Sequence, residues 1–501
     1  MGVVKRQGIL QSIVTYLGVA IGAVNTLWIY PAFLTKEEIG IINYVRESAG
    51  LLTLLTFLGS SELIIRFFPY FRNEREGHHG FLFLLACILL SGNLVLLAGY
   101  HLGRAPLHAY FGAKDNPDLY LAYLWMIPVL TFLASFSSLF ALYASNFHRI
   151  VVPSAINEFL PKIGIPLMVI AYQFRLLDLD GVFRGILLVY LLITLSQAAY
   201  LRSIGQLHFR PDRRLLSGDM LKEMGRYMLF GFLGGMGSRL SSEFINIVMV
   251  GTMTTLRSTG VFVIAYFISN VVDIPRKAIA RITAPLLADK WKQGDLAEIA
   301  TIYRKSSLNQ LIVGTGMFLS IWIGIEQLYA LMPNGETFLV GREVVGLLGI
   351  ARLIDMATGV NSEIISYSRH YRYNLYFIGM TSLIHIGANL WLVPSLGITG
   401  VGVATILSLS FFNLSKLLLI HRKFGMQPFS RASLYTLILA TAAYAAASRI
   451  PTTGFPLLDL LLLSGGFASL FALGVLGFKI SPDINALATG LWGRIFRQHN
   501  E

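Results

Sequence analysis

Apolar residues fill this chain in blocks of about 20 to 30, each closed by a short polar or basic stretch. About 20 consecutive apolar residues let an α-helix cross the hydrocarbon of a bilayer. The blocks predict spans one to fourteen at 9–33, 40–68, 80–102, 119–147, 153–174, 182–202, 226–252, 259–288, 306–332, 343–367, 374–394, 398–420, 433–450 and 457–478. Span one follows Lys5 and Arg6 and so mimics a secretion signal. It is too long and too polar at its centre for a cleaved segment, and no small-x-small site ends it, so it is read as a retained span.

Composition agrees. The 501 residues are 55% hydrophobic and 13% charged, with a mean hydropathy of +0.64. A soluble surface takes about 25% charged residues, so most of this outside faces lipid. The net charge of +13 does not imply nucleic acid, because the basic residues are scattered among short loops. Loops after even-numbered spans, with the two termini, carry about 23 Lys and Arg against about 8 on the other side. That bias predicts a multi-pass protein with both termini in the cytoplasm. The one cysteine, Cys87, excludes an intrachain disulfide and a cysteine-rich metal site. It is expected as a small buried residue.

The chain is weakly self-similar. Lys36-Glu37-Glu38-Ile39-Gly40-Ile41-Ile42 opens span two, and Arg257-Ser258-Thr259-Gly260-Val261-Phe262 opens span eight, about 220 residues later. The expected fold is an all-α polytopic membrane protein of 14 helices. Residues 1–203 and 226–424 form two pseudo-symmetric six-helix lobes, 204–225 is a cytoplasmic linker, and 425–501 hold the last two helices and a cytoplasmic tail. Repeated halves with the binding site at their interface are a common transporter plan.

Charges sit inside the apolar blocks. An ionised side chain at a bilayer centre costs at least about 2.5–3.5 kcal/mol, so such residues face a wet or internally paired interior. Glu62 with Arg66, Glu158 with Lys162, Arg239 with Glu243 and Asp273 with Lys277 are each four apart on one helix, and Arg352 with Asp355 are three apart. At about 1.5 Å per residue, Arg239 lies roughly 20 Å from the cytoplasmic start of span seven. Arg276 and Arg352 reach a similar depth, with Arg46 nearer the outer face. Arg46, Arg239, Arg276 and Arg352 are therefore candidates for a cationic cavity, since guanidinium groups keep their charge and bind phosphate oxygens bidentately. Glu243, Asp273 and Asp355 are candidate counter-charges, or carriers of a coupling H+ or Na+. Arg66 and Arg281 are read as snorkelling at helix ends. Glu326, Glu363 and His385 are expected near an interface or satisfied locally.

Other signals are weaker. Gly231, Gly234, Gly235 and Gly237 sit inside a span and suggest close helix packing rather than a phosphate loop. Asp178 and Asp180 could mimic a metal-binding Asp-x-Asp, but their loop is short. No Ser/His/Asp set, HExxH or CxxC occurs, so no catalytic residue, metal or cofactor is expected.

Val393-Pro394-Ser395-Leu396-Gly397-Ile398-Thr399-Gly400-Val401-Gly402-Val403-Ala404-Thr405 resembles the P-x-x-G-I-x-G-A-A-x-A-T signature of polysaccharide flippases. Thr259-Gly260, the amphipathic stretch from Asp289 to Lys305, and Glu38-Ile39-Gly40 fit the same group. The chain thus resembles the oligosaccharide (O-antigen, Wzx-type) flippases of the multidrug/oligosaccharidyl-lipid/polysaccharide exporter superfamily. The resemblance implies a monomeric transporter of the bacterial inner membrane, not an enzyme. Its expected cargo is an oligosaccharide on undecaprenyl pyrophosphate, turned from the cytoplasmic to the periplasmic leaflet. Spans one, two, seven and eight would face the cavity, with the last two helices flanking a groove for membrane lipid. Span one has no arginine between Ile9 and Phe33, unlike the lipid II flippase pattern. A drug/cation antiporter of the same superfamily is the alternative, with a membrane glycosyltransferase or glycan polymerase behind it.

Overall fold

The structure, a computed structural model, describes residues 2–212, 217–240 and 244–488. Among them all regular structure is helical, and each of the 14 predicted spans falls on helix. Ten helical runs are long and apolar enough to cross a membrane, and the bent pair Lys36–Phe57 and Ser60–Phe71 of span two makes eleven. Three predicted spans remain. Span seven is Gly218–Leu240 followed by Phe244–Met253, span ten is Arg342–Ala357 followed by Asn361–Tyr367, and span thirteen is Arg431–Ala447. The chain is an all-α polytopic membrane protein.

Local chemistry explains the breaks. Span two bends by 45° at Leu58 and Gly59, both left-handed, with φ of 50° and 81°. Span eight runs as Leu256–Asn270, a tight turn Val271–Asp273, and Ile274–Gln293. Pro275 has no N–H to return to the carbonyl of Val271, so the regular ladder cannot pass this point. In span five, Val151–Gln173, Pro166 leaves the carbonyl of Lys162 without its helical donor. Asn25, on the wide turn Asn25–Ile29 of span one, fills the gap by donating from Nδ2 at 2.7 Å. Asn25→Ala is expected to destabilise the protein by about 1–3 kcal/mol, because a buried acceptor loses its partner. Thermal unfolding in detergent checks this, and an unchanged midpoint contradicts it.

The chain packs as two compact units, Met1–Val263 and Ile264–Glu501. The first has an aromatic core in which Phe67, Phe68, Phe71, Phe81 and Tyr143 are almost fully buried. In the second, Leu287, Ile299, Tyr303, Ile364 and Ile420 form one cluster, and Ala440, Ala443 and Ala447 receive Phe467 and Phe471 in another. Large apolar side chains such as Leu383, Trp391 and Leu473 lie outward, as a lipid-facing surface requires. Cys87 lies outward too, contrary to its expected burial. Span three is apolar all round, so periodicity cannot say which face turns inward.

Within the first unit, the starts of spans two and eight touch backbone to backbone. A Cβ on Gly40 would lie 2.1 Å from the Leu256 carbonyl oxygen, and a Cβ on Gly260 would lie 2.1 Å from that of Lys36. Gly40 with Gly260 and Lys36 with Leu256 are both 220 apart (260 − 40 and 256 − 36), so the contact exchanges with itself like a two-fold interface. Beside it, the carbonyls that end helix Phe244–Met253 are taken up by tyrosines. Tyr120 donates to the Gly251 oxygen at 2.5 Å and Tyr110 to the Thr252 oxygen at 2.8 Å. Tyr44 shares a 3.1 Å hydrogen bond with the Thr252 hydroxyl.

The signature stretch 393–405 has a structural explanation. Gly397 has φ +59° and ψ −137°, a conformation that favours glycine, and turns span eleven into span twelve. A Cβ on Gly400 would meet the Leu392 carbonyl at 2.6 Å, and one on Gly402 would meet Leu347 at 2.7 Å.

Candidate functional site

The charged group in the second unit is built around the break in span eight. The turn leaves Asp273 only 1% exposed, at the N-terminal edge of helix Ile274–Gln293. Arg276, one turn on, donates from Nε to Asp273 Oδ1 at 2.5 Å and lies 3.2 Å from Asp355 Oδ2 on span ten. Lys277 Nζ is 2.9 Å from Asp273 Oδ2 and is half exposed. Arg352 is buried and attracts Asp273 through space. Glu363 also acts on Arg276 through space. Asp273 and Asp355 together hold the Arg276 guanidinium in place.

Hydrogen bonds carry this group into span twelve, Ile398–Phe424. Asn413 Nδ2 donates to Asp355 Oδ1 at 3.0 Å. Asn413 Oδ1 accepts from Thr358 at 2.7 Å and from Asn361 Nδ2 at 2.8 Å. Ser362 donates to Asn361 Oδ1 at 3.3 Å, and Lys416 Nζ donates to Ser362 Oγ at 2.5 Å. Sequence reasoning missed Asn413, Thr358, Asn361 and Lys416. A lysine inside an otherwise apolar span was the available signal for the last, while the uncharged members give none until three segments meet.

In the first unit, Arg46 lies against Tyr30, Tyr190 and Glu47, and its Nε finds no hydrogen-bond partner among the described residues. Glu158 and Lys162 form the predicted pair at 2.5 Å, against Gly18 of span one. Arg239 lies on helix Gly218–Leu240, but its side chain is outside the described set, and Glu243 lies outside the described residues. Glu62–Arg66 is not among the described ion pairs; the Arg66 guanidinium lies instead over the Tyr227 ring, 4.5 Å from its centre.

Of the remaining polar candidates, Glu326 and His385 are satisfied locally, while Glu363, on helix Asn361–Tyr367, acts on Arg276 and Lys416 through space. Glu326 pairs with Arg342, which also lies over the Trp322 ring. His385 is buried and shares a 2.9 Å hydrogen bond with Ser408. Asp178 caps helix Leu179–Ser203 by accepting from Gly181 N, and Asp180 accepts from Tyr123, so this pair does structural work. Gly231 packs beside Glu62 and Gly59, as close packing requires. Among the described residues, Glu76, His79 and Asp212 are near enough together to hold an ion. Both carboxylates approach the same imidazole nitrogen, at 2.9 and 3.2 Å, which is the arrangement of a hydrogen-bonded histidine.

Each unit contains an apolar cavity. The first, of about 540 Å³, is lined by spans two, three and four with Phe232 and Val248, including Leu51, Leu55 and Val95. The second, of about 730 Å³, runs between Val271, Ile312–Ile321 and span fourteen, where Phe471 and Val475 line it. Neither is lined by Arg46, Arg276 or Arg352. The second begins at Val271, in the same turn as Asp273.

A helical chain with many crossings, one broken beside buried paired charges, has the architecture of a membrane transporter. The fold is shared with two solved membrane transporters. Over 93% of its length it matches the lipid II flippase MurJ in an inward closed conformation, covering 99% of that chain with a TM-score of 0.72 and 10% identity. Over 83% of its length it matches an inward-facing multidrug resistance MATE family transporter of the MOP superfamily, covering 98% of that chain with a TM-score of 0.63 and 15% identity. No protein-family model and no curated protein matches the sequence.

Proposed function

We propose that this chain is a flippase for an undecaprenyl-pyrophosphate-linked oligosaccharide, moving it from the cytoplasmic to the periplasmic leaflet of a bacterial inner membrane. One observation carries the reading: a cationic group and an apolar cavity share the turn Val271–Asp273. A polyprenyl pyrophosphate has the same two parts, an anionic head and a long apolar tail. Arg276, Lys277 and Arg352 suit the head, and the cavity beside span fourteen suits the tail. Arg46 and Arg239 would line the rest of the path, with Glu243 as a counter-charge. The two halves, divided at 204–225, would rock between inward and outward states, coupled to H+ or Na+, with both termini in the cytoplasm and one chain as the working unit.

The likeness to MurJ is one of fold. The absence of arginine between Ile9 and Phe33 still favours a glycan other than the peptidoglycan precursor. A drug/cation antiporter is the second reading, because a MATE transporter shares the fold. Such a protein needs a carboxylate open to a cationic drug, whereas Asp273 and Asp355 here are both engaged by Arg276. A glycosyltransferase or polymerase would need a large outer-face loop, and the predicted outer loops are short. Arg239→Ala combined with Arg276→Ala is expected to abolish glycan display at the cell surface beyond what any fall in the amount of folded membrane protein explains. Normal display from the double variant would reject the reading, and drug efflux without glycan display would favour the antiporter.

A further inference from the structure

Lys416 is fully buried in span twelve. Its ammonium rests 3.2 Å from the centre of the Phe412 ring and donates to Ser362 Oγ. Asp355 and Glu363 attract it through space and Arg276 repels it. Span ten also brings Arg352 to this group, and span eleven contributes His385, hydrogen-bonded to Ser408, eight residues from Lys416. From Lys416 a chain of hydrogen bonds passes through Ser362, Asn361 and Asn413 to Asp355, and ion pairing carries it on to Arg276 and Asp273.

We propose that the Lys416 ammonium takes the place of a bound metal cation in this unit, so that a proton, released and regained at Lys416, is the coupling ion. The proposal rests on the transporter reading and deepens it. A hard cation such as Na+ needs several oxygens open to it at once. Here Lys416 supplies the positive charge that faces Glu363 and Asp355, and the Asp355, Asn413 and Ser362 oxygens are engaged. Asp355 Oδ1 accepts from Asn413, Asp355 Oδ2 faces Arg276, Asn413 Oδ1 accepts from two donors, and Ser362 Oγ accepts from Lys416. A fixed ammonium differs from a guanidinium in one respect: an amine can release its proton, whereas a guanidinium keeps its own. Loss of the proton to water turns the donor Nζ into an acceptor. Ser362 then donates to it and withdraws its hydrogen bond from Asn361 Oδ1. The Asn361–Asn413–Asp355 chain repacks, and the hold of Asp355 on Arg276 changes with it. Protonation at one end of the chain thus sets the position of the cation at the other.

The test needs no substrate. Full-length protein in lipid nanodiscs is compared in sodium chloride and in equimolar choline chloride, from about pH 6 to about pH 9. Amide hydrogen exchange is followed over residues 358–366, together with the unfolding midpoint. Wild type is expected to show the same midpoint in both salts and a protection factor in this segment, the exchange rate divided into the intrinsic amide rate at each pH, that changes at least about threefold with pH. Lys416→Met should lose the pH response and gain stabilisation by sodium, because Asp355 and Glu363 lose their resident cation. Lys416→Arg should also lose the pH response yet stay indifferent to sodium, because its charge cannot be released. Stabilisation of wild type by sodium over choline, or an undiminished pH response in Lys416→Arg, overturns the proposal. Flipping of a fluorescent polyprenyl pyrophosphate in proteoliposomes is scored separately, so a failed flippase reading and a failed proton site give different results.

Discussion

Arg276→Ala is expected to cost about 3–5 kcal/mol of stability, the penalty for leaving buried charge without its partner. Asp273 is 1% exposed and takes its shortest bond from Arg276, and Asp355 faces the same guanidinium at 3.2 Å. After the change, Lys277 alone of the two neighbouring cations on this helix still pairs with Asp273 at short range. Arg276→Lys should recover only part of the loss, because an ammonium is a point charge and cannot serve two carboxylates from one planar fork. Adding Asp273→Asn to Arg276→Ala should recover more, since the stranded carboxylate becomes neutral. Unfolding in denaturant, with detergent and pH held constant, measures all three. A loss below about 1 kcal/mol for Arg276→Ala would show that water already screens the site, as it does for surface pairs.

The second large effect lies at the crossing of spans two and eight. Gly40→Ala and Gly260→Ala each place a methyl 2.1 Å from a backbone oxygen that no rotamer change can move aside. Overpacking of this kind costs about 1–3 kcal/mol or more. Gly50→Ala, in the same helix as Gly40, meets nothing within 4 Å and should be neutral or stabilising by up to about 1 kcal/mol. The two damaging changes should not add. Once one methyl has forced the helices apart, the second finds room, so the double variant should fall short of the sum by at least about 1 kcal/mol. Full additivity would mean that the two glycines do not belong to one contact. The same crossing shows why the repeat was faint in the sequence. Only the glycines and the local helix starts must correspond, while the residues around them answer to different neighbours.

Much of the architecture was readable from the chain. A membrane leaves few options for the backbone, since every buried N–H and C=O must be paired within its own helix. Long apolar blocks therefore announce helices, and all 14 predicted spans fall on helix. Their continuity was less readable. Span ten is interrupted and span thirteen is short, and no hydropathy average shows where a ladder stops. The i,i+4 pairs Glu158–Lys162 and Asp273–Lys277 formed as spacing suggested, because one helix fixes both partners. Glu62–Arg66 has the same spacing, yet the Tyr227 ring reached Arg66 from another helix.

The sequence alone determined that this is a polytopic helical membrane protein and that charges lie within its spans. Both follow from composition and local periodicity, which act over a few residues. The tertiary structure decided what those charges do. It placed Asp355 against Arg276, ran hydrogen bonds from Asp355 to Lys416, turned Cys87 outward and set Gly40 against Leu256. Each of these depends on which faces of separate helices meet. A helix that is apolar all round carries no record of its inward face, because lipid and protein interior are equally apolar solvents for it.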